Sequence, residues 1–306
     1  MSAFFIGDVA LDEYYTAERW PGVADKDFVQ ELPAECGGSI ANAAVVHAAL
    51  GGKPEFISLL NDSPLSDRLI ADLQANGVST RHMLRQAGIP DSRNLIFLVG
   101  GEHVVLTVEM GQQPMPLPPA TMEALRQPGL LYTTLYRVRR LVEAETGLGQ
   151  AALLADLRQH GRKLIFDLDV GGADEADLPY LTGAEVVIFN EVGFRATFGA
   201  DDLHLAEPWR QRMGITRLIR TMAADGAEAL DRGRVTRVRG LTVGVVDVTG
   251  AGDTFGAALA SGLDQGQDFD QALEFSVAAA SRSVTIHGPR GGKATRAEVM
   301  DWLAKR

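Results

Sequence analysis

Short apolar runs alternate with stretches of helical periodicity along almost the whole chain, and this alternation restricts the fold more than any other feature. Residues 3–6, 55–59, 129–135, 163–168, 185–189 and 216–221 are apolar runs of strand length, while 40–50, 66–76 and 147–160 repeat apolar residues at helical spacing. A helix between two strands carries the chain back to lie parallel to where it began. The predicted architecture is therefore α/β, with a mostly parallel sheet covered by helices on both faces. At 306 residues the chain exceeds the usual size of one domain, roughly 150 residues, but α/β folds of this length often surround a single sheet. One domain over 1–306 is expected.

Two stretches break the alternation. Residues 27–35 form one; the other is 94–99 with 103–110, flanking Gly100-Gly101, a strong hairpin signal. These antiparallel pieces have two possible placements: a small separate sheet over the C-terminal edge of the main sheet, where ligands bind in open α/β folds, or an antiparallel edge extension of that sheet. The first makes them a lid, inserted at about 12–36 and 92–111. Residues 112–119, with four prolines, return the chain to the main body.

The formal net charge of −11 argues against non-specific binding to nucleic acid or to anionic membranes. Cys36 is the sole cysteine, which rules out an intrachain disulfide and a cysteine-based zinc site and fits a reducing compartment. The first residues lack a basic segment, and their apolar run is too short for a signal peptide or a membrane span. A cytoplasmic location is expected.

The most informative segment runs from Asp247 to Ala260. Small residues, Gly250-Ala251-Gly252, precede an apolar helix-forming run, so they stand where the first helical N–H groups lack intrahelical partners. Such a start favours an anion, and the glycines let a phosphate approach the backbone closely. Asp253 lies at the same point. A carboxylate there can accept the proton of an alcohol attacking a phosphoryl group, or it can simply cap the helix. A Walker A loop occurs nowhere in the chain. A dinucleotide fingerprint would need glycine where Phe255 stands, and too little chain follows for a full dinucleotide-binding half.

Asp247-Val248-Thr249-Gly250-Ala251-Gly252-Asp253 resembles the D-T-x-G-A-G-D signature of the PfkB/ribokinase family, with the threonine displaced by one place. Gly37-Gly38-Ser39-Ile40-Ala41-Asn42 is similar to that family's amino-terminal G-G-x-x-x-N signature. The resemblance implies a three-layer ribokinase-like fold with a small β-sheet lid, and transfer of phosphate from ATP to a primary hydroxyl of a sugar or sugar derivative. It makes Asp253 the catalytic base and Gly250, Ala251 and Gly252 the anion hole. Asp12, Gly37, Gly38 and Asn42 become the substrate contacts.

On the nucleotide side the resemblance is less regular. Residues 221–226 are similar to a T-x-G-x-x-G turn, and place Thr221 and Gly226 under ATP, but Ala223 replaces the first glycine. Residues 283–288 resemble a strand-and-turn that puts His287 and Gly288 beside the nucleotide, with a monovalent cation such as K+ near Asp247 and Thr249. Asn190 matches the first residue of an N-x-x-E motif that organises Mg2+ largely through water, yet the fourth position is Gly193. Glu191, or Asp167 with Asp169, would then serve the metal.

Arg137, Arg139 and Arg140 lead toward a predicted helix whose amino end repels cations, which an anionic ligand group would explain. With residues 167–169 and Glu191-Gly193, Arg137 resembles the branch that includes sulfofructose kinase, and Lys26 in the lid would reach the same acidic tail. A nucleoside acceptor and a catalytically silent ligand-binding protein are the alternatives. Pairing of exposed lid edges implies a homodimer.

Overall fold

The computed structural model describes residues 2–100, 102–108 and 111–306. Among them the largest sheet has eight strands, in the order Arg234–Val238, Ala227–Asp231, Arg217–Thr221, Val186–Asn190, Arg162–Asp167, Gly129–Thr133, Ser2–Ile6 and Pro54–Ile57. Six of these run parallel; Ala227–Asp231 and Arg234–Val238 are joined to the sheet by antiparallel pairing. Successive side chains of a strand point to opposite faces, and both faces are covered. Ala3, Phe5, Val186 and Ile188 enter one buried cluster, with Phe255 and Leu259 from the helix Ala251–Asp264. Phe4, Ile6, Val187 and Phe189 enter the other, with Leu153 and Leu157 from the helix Gln150–Gln159. Continuous apolar runs are what a strand buried on two sides requires.

The three-layer α/β reading of the sequence is thus the fold observed. Several boundaries differ. The expected strand over 129–135 ends at Thr133, and Leu135–Val138 is a single helical turn; the expected helix over 147–160 is confined to Gln150–Gln159. The strand expected within 283–288 does not form. The helix Phe269–Ser283 runs through its start, and Val284 caps it. The branched residues Val284, Thr285 and Ile286 favour strands, but the preceding apolar helix face packs in the core and decides the local geometry.

A second sheet is built from Gln30–Glu31, Ala10–Ala17, Arg93–Val99 and Glu102–Thr107 in that order, with Glu35–Gly37 also paired to Ala10–Ala17. The hairpin predicted around Gly100 is present, although Gly101 and the end of its second arm, Glu109 and Met110, lie outside the described residues. Not every pairing is antiparallel: Ala10–Ala17 and Arg93–Val99 run parallel. Only Gln30–Glu31 and Glu35 of the run 27–35 are in strands. Among the described residues no helix is long and apolar enough to cross a membrane.

Candidate functional site

The chain enters the helix Ala251–Asp264 through Gly250, whose φ of 75° is left-handed. A side chain there would be strained by that conformation and blocked as well, since its Cβ would stand 1.9 Å from the carbonyl oxygen of Pro289. Gly252 has nothing within 4 Å of where its Cβ would be, so its bareness leaves the helix start open. The first helical N–H groups lack intrahelical partners and carry the positive end of the helix dipole; that of Ala251 donates to the carbonyl oxygen of Val248 at 3.2 Å. Gly250, Ala251 and Gly252 line a cavity of about 400 Å³ with Asp167, Asp169, Asn190, Glu191, Thr221 and Asp253.

Asp253 is tied on both oxygens. Ser39 Oγ donates to Oδ1 at 2.6 Å and Asn42 Nδ2 donates to Oδ2 at 3.0 Å. Burial pushes its carboxyl up to about 6, against the lowering effect of these two hydrogen bonds; the charges of Asp169 and Asp12 push it further. Both donors come from the start of the helix Ser39–Ala49, so the two glycine-bearing motifs, more than 200 residues apart, meet at one carboxylate. Ser39 was not singled out in the sequence. It lies inside the G-G-x-x-x-N segment, where its position just after two glycines was the available signal.

Asp12 is buried and accepts from Asn94 Nδ2 at 2.7 Å, and Asn94 Oδ1 accepts from Thr107 Oγ1 at 2.9 Å. Burial raises the Asp12 carboxyl, while Asn94 lowers it. Gly37 and Gly38 are both forced by packing. A Cβ on Gly37 would stand 1.9 Å from Asp12 Oδ2; on Gly38, with φ 103°, it would stand 2.4 Å from the carbonyl oxygen of Asp8.

Asp167 lines the same cavity, and Tyr132 Oη donates to its Oδ2 at 2.7 Å. Burial lifts its carboxyl to about 7, a rise opposed by the tyrosine and reinforced by the charges of Asp253 and Asp169. Asn190 closes the other side. Its Nδ2 donates to Asp169 Oδ1 at 2.9 Å, and its Oδ1 accepts the Gly193 N–H at 2.8 Å as the helix cap. Asp169 has a positive φ of 46°, and a Cβ on Gly193 would stand 2.0 Å from its carbonyl oxygen. Gly193 and the turn at Asp169 are therefore one packing unit. A glutamate at 193 is sterically incompatible with this turn, and the Asp169 carboxylate occupies the place beside Asn190.

Thr221 ends its strand at the cavity wall. Ala223 has φ 45°, a left-handed conformation that glycine adopts without strain, and Gly226 packs against the carbonyl oxygen of Val238. Thr221 and Gly226 also line a smaller neighbouring cavity with Ala251, Phe255 and Val277. Beyond Gly250, Asp247 accepts from the Thr249 N–H and the Gly288 N–H, both at 2.9 Å, and His287 Nδ1 lies 3.1 Å from its Oδ2.

Two expected ligand contacts, Arg137 and Lys26, have partners within the chain. Arg137 is buried and pairs with Asp8, and Arg139 pairs with Asp177, while Arg140 donates to Gln112. Arg137 sits in the last turn of the short helix Leu135–Val138, not before the start of a long one. The premise that the helix repels it fails, and a carboxylate of the chain already compensates it. Lys26 is exposed in the loop 18–29, where its backbone N–H donates to Asp25 Oδ1 at 2.9 Å.

The profile of the family described as pfkB family carbohydrate kinase matches residues 3–296. This chain belongs to that family. The ribokinase of Bacillus subtilis is 26% identical over 299 residues, covering 98% of each chain. Among solved structures, ribokinase from Thermotoga maritima superposes with a TM-score of 0.82 at 20% identity over 99% of both chains. Ribokinase from Arabidopsis thaliana, complexed with ribose and ATP, has a TM-score of 0.83 at 21% identity, covering 99% of this chain and 98% of the other.

The packing of Gly193 gives a direct expectation. Gly193→Glu, which writes the family's usual acidic residue into the motif, should lower phosphoryl transfer and destabilise the fold by about 1–3 kcal/mol through overpacking. Thermal unfolding and ADP release measure both; a more active variant would contradict the account of the turn.

Proposed function

We propose that the protein transfers the γ-phosphoryl group of ATP to a primary hydroxyl of a sugar, with Asp253 as the base. The observation that carries this reading is the carboxylate of Asp253, held by two donors at the mouth of an open helix start and raised to about 6 by burial. Its ionised form accepts the hydroxyl proton as the oxygen attacks phosphorus, and a base poised near the working pH does so efficiently. The first-turn N–H groups of Gly252 and Asp253 meet the negative charge that spreads over the transferring group, while the Ala251 N–H donates to the carbonyl oxygen of Val248 at 3.2 Å.

Asp12 and Asn94 supply a fixed acceptor and donor for sugar hydroxyls, with Gly37 packed against Asp12 and Asn42 bonded to the base. The compensation of Arg137 by Asp8 favours an uncharged sugar over one with an acidic tail. Thr221 and Gly226 line the surface assigned to the nucleotide, whereas His287 and Gly288 line separate cavities, one with Asp247 and Thr249 and one with Glu35 and Arg290. The second sheet is read as a lid that excludes water on closing.

Magnesium enters with the nucleotide in this reading. Among the described residues no three His, Cys, Asp or Glu side chains converge to hold a metal alone. Mg2+ bound to phosphates needs only one or two carboxylates, often through water, and the oxygen donors Glu191 and Asp169 beside Asn190 fit that demand. When bound, the ion offsets phosphate charge. A monovalent cation near Asp247 and Thr249 is proposed from the family resemblance; the loop that would hold it is the one in which the Gly288 N–H donates to Asp247 and the carbonyl oxygens of Ser283, Ile286 and Gly288 gather around Gly291.

A homodimer is proposed through the second sheet. Its edge strand Glu102–Thr107 exposes Val105 and Leu106, and an uncovered edge favours further strand pairing. Sedimentation should give a dimer for the native chain and a monomer for Val105→Lys; an unchanged mass for the variant would contradict this interface.

Asp253→Asn should lower kcat by at least about 10²-fold, within the range usual for loss of a general base, while ATP affinity by calorimetry stays within a few-fold. The assay is ADP release with pentoses, hexoses, sugar acids and nucleosides as acceptors. Undiminished turnover in the variant would exclude Asp253 as base, and absence of turnover with every acceptor would favour a catalytically silent binding protein.

A further inference from the structure

The loop between the helices Phe269–Ser283 and Arg296–Ala304 packs directly on the start of the helix Ala251–Asp264. Pro289 covers Gly250 through its carbonyl oxygen, and Thr254 Oγ1 would stand 2.0 Å from a Cβ on Gly292. Arg290 is carried between these two close approaches. Its Nε donates to Asn42 Oδ1 at 3.2 Å, and its Nη1 donates to Asp72 Oδ2 at 2.6 Å. Asn42 in turn donates to Asp253.

The chemistry of these groups fixes the direction of the chain of bonds. A guanidinium has five N–H donors and no acceptor, so the only atom of the Asn42 amide that it can bind is the oxygen. Once Oδ1 faces Arg290, Nδ2 must face Asp253. The opposite orientation would set donor against donor at Arg290 and oxygen against oxygen at Asp253. Asp72, on the helix Pro64–Ala75, holds the arginine in place from the other side.

We propose that Arg290 is a positioning residue for phosphoryl transfer: its guanidinium fixes the amide of Asn42 so that the amide donates to the Asp253 carboxylate. This rests on the reading of Asp253 as base. The groups that face Asp253 are mostly acidic: Asp12 from the second sheet, Asp169 and Asp167 from the end of the strand Arg162–Asp167, and the hydroxyl of Tyr132 from the strand Gly129–Thr133. Against them stand two donors, Ser39 and Asn42. Freeing the amide to rotate removes one of the two and leaves the carboxylate less stabilised in its charged form.

The test is the pH dependence of kcat/KM for Arg290→Met, Arg290→Lys, Asn42→Ala and the Arg290→Met/Asn42→Ala pair, with circular dichroism as the check on folding. The acid limb of Arg290→Met should move up by about one pH unit, the size expected for loss of one hydrogen bond to a carboxylate. Below the limb this reads as about a tenfold loss that is recovered at alkaline pH. Arg290→Lys should show a smaller shift, because an ammonium can serve Asn42 or Asp72 but not both in fork geometry. The double variant should show no further shift beyond Asn42→Ala.

A folded Arg290→Met with an unmoved acid limb, or additive shifts in the pair, overturns the proposal. If Arg290→Met does not fold, Arg290→Lys carries the same decision. Failure of this proposal is distinguishable from failure of the functional reading. An inactive Asp253→Asn with an unmoved limb in Arg290→Met removes only the role of Arg290, whereas an active Asp253→Asn removes the base itself.

Discussion

A half-buried carboxylate at the positively polarised start of a helix, with other acids around it, is the constraint on which the site depends. The charged form of Asp253 is favoured there by the hydrogen bonds from Ser39 and Asn42 and by the helix start itself. Burial and the neighbouring Asp169 and Asp12 act in the opposite direction, toward the protonated form. The arrangement leaves the carboxylate basic enough to take a proton and ionised enough to be available. Each supporting element has a packing reason to be where it is. Gly250 is locked under Pro289, Gly38 under Asp8, and the two sheets bring Asp12 within electrostatic reach of Asp253.

The departures from the family pattern have physical accounts. Gly193 faces the backbone of Asp169, and the residue that would have been a glutamate is excluded by that contact. Ala223 keeps a left-handed φ of 45°, so the turn under the strand Arg217–Thr221 has the shape a glycine would give it at some cost in strain. Neither change disturbs the hydrogen bonds to Asp253. Asn190 donates instead to the carboxylate of Asp169.

Much of the fold was legible because a strand buried on both faces must be apolar throughout, as residues 186–189 are. The helix start at Gly250 was legible because small residues preceding an apolar run have few other meanings. What stayed hidden depends on distant partners. Ala10–Ala17, the central strand of the second sheet, carries Asp12, Glu13 and two tyrosines and is only half buried, so no strict alternation marks it. Arg137 reads as an unpaired cation until Asp8, 129 residues away, is seen against it. Arg290 carries no signal beyond the glycines that follow it. Its partners, Asn42 and Asp72, are brought to it only by the packing of the helices Ser39–Ala49 and Pro64–Ala75.

The central claim is that the carboxyl of Asp253 is held basic by its surroundings while remaining ionisable. Carbon-13 NMR titration of that carboxyl in the free protein, assigned by its absence in Asp253→Asn, measures this directly. The account predicts a midpoint of about 6. A midpoint at the ordinary aspartate value of about 3.9 would show a solvated capping residue and contradict it.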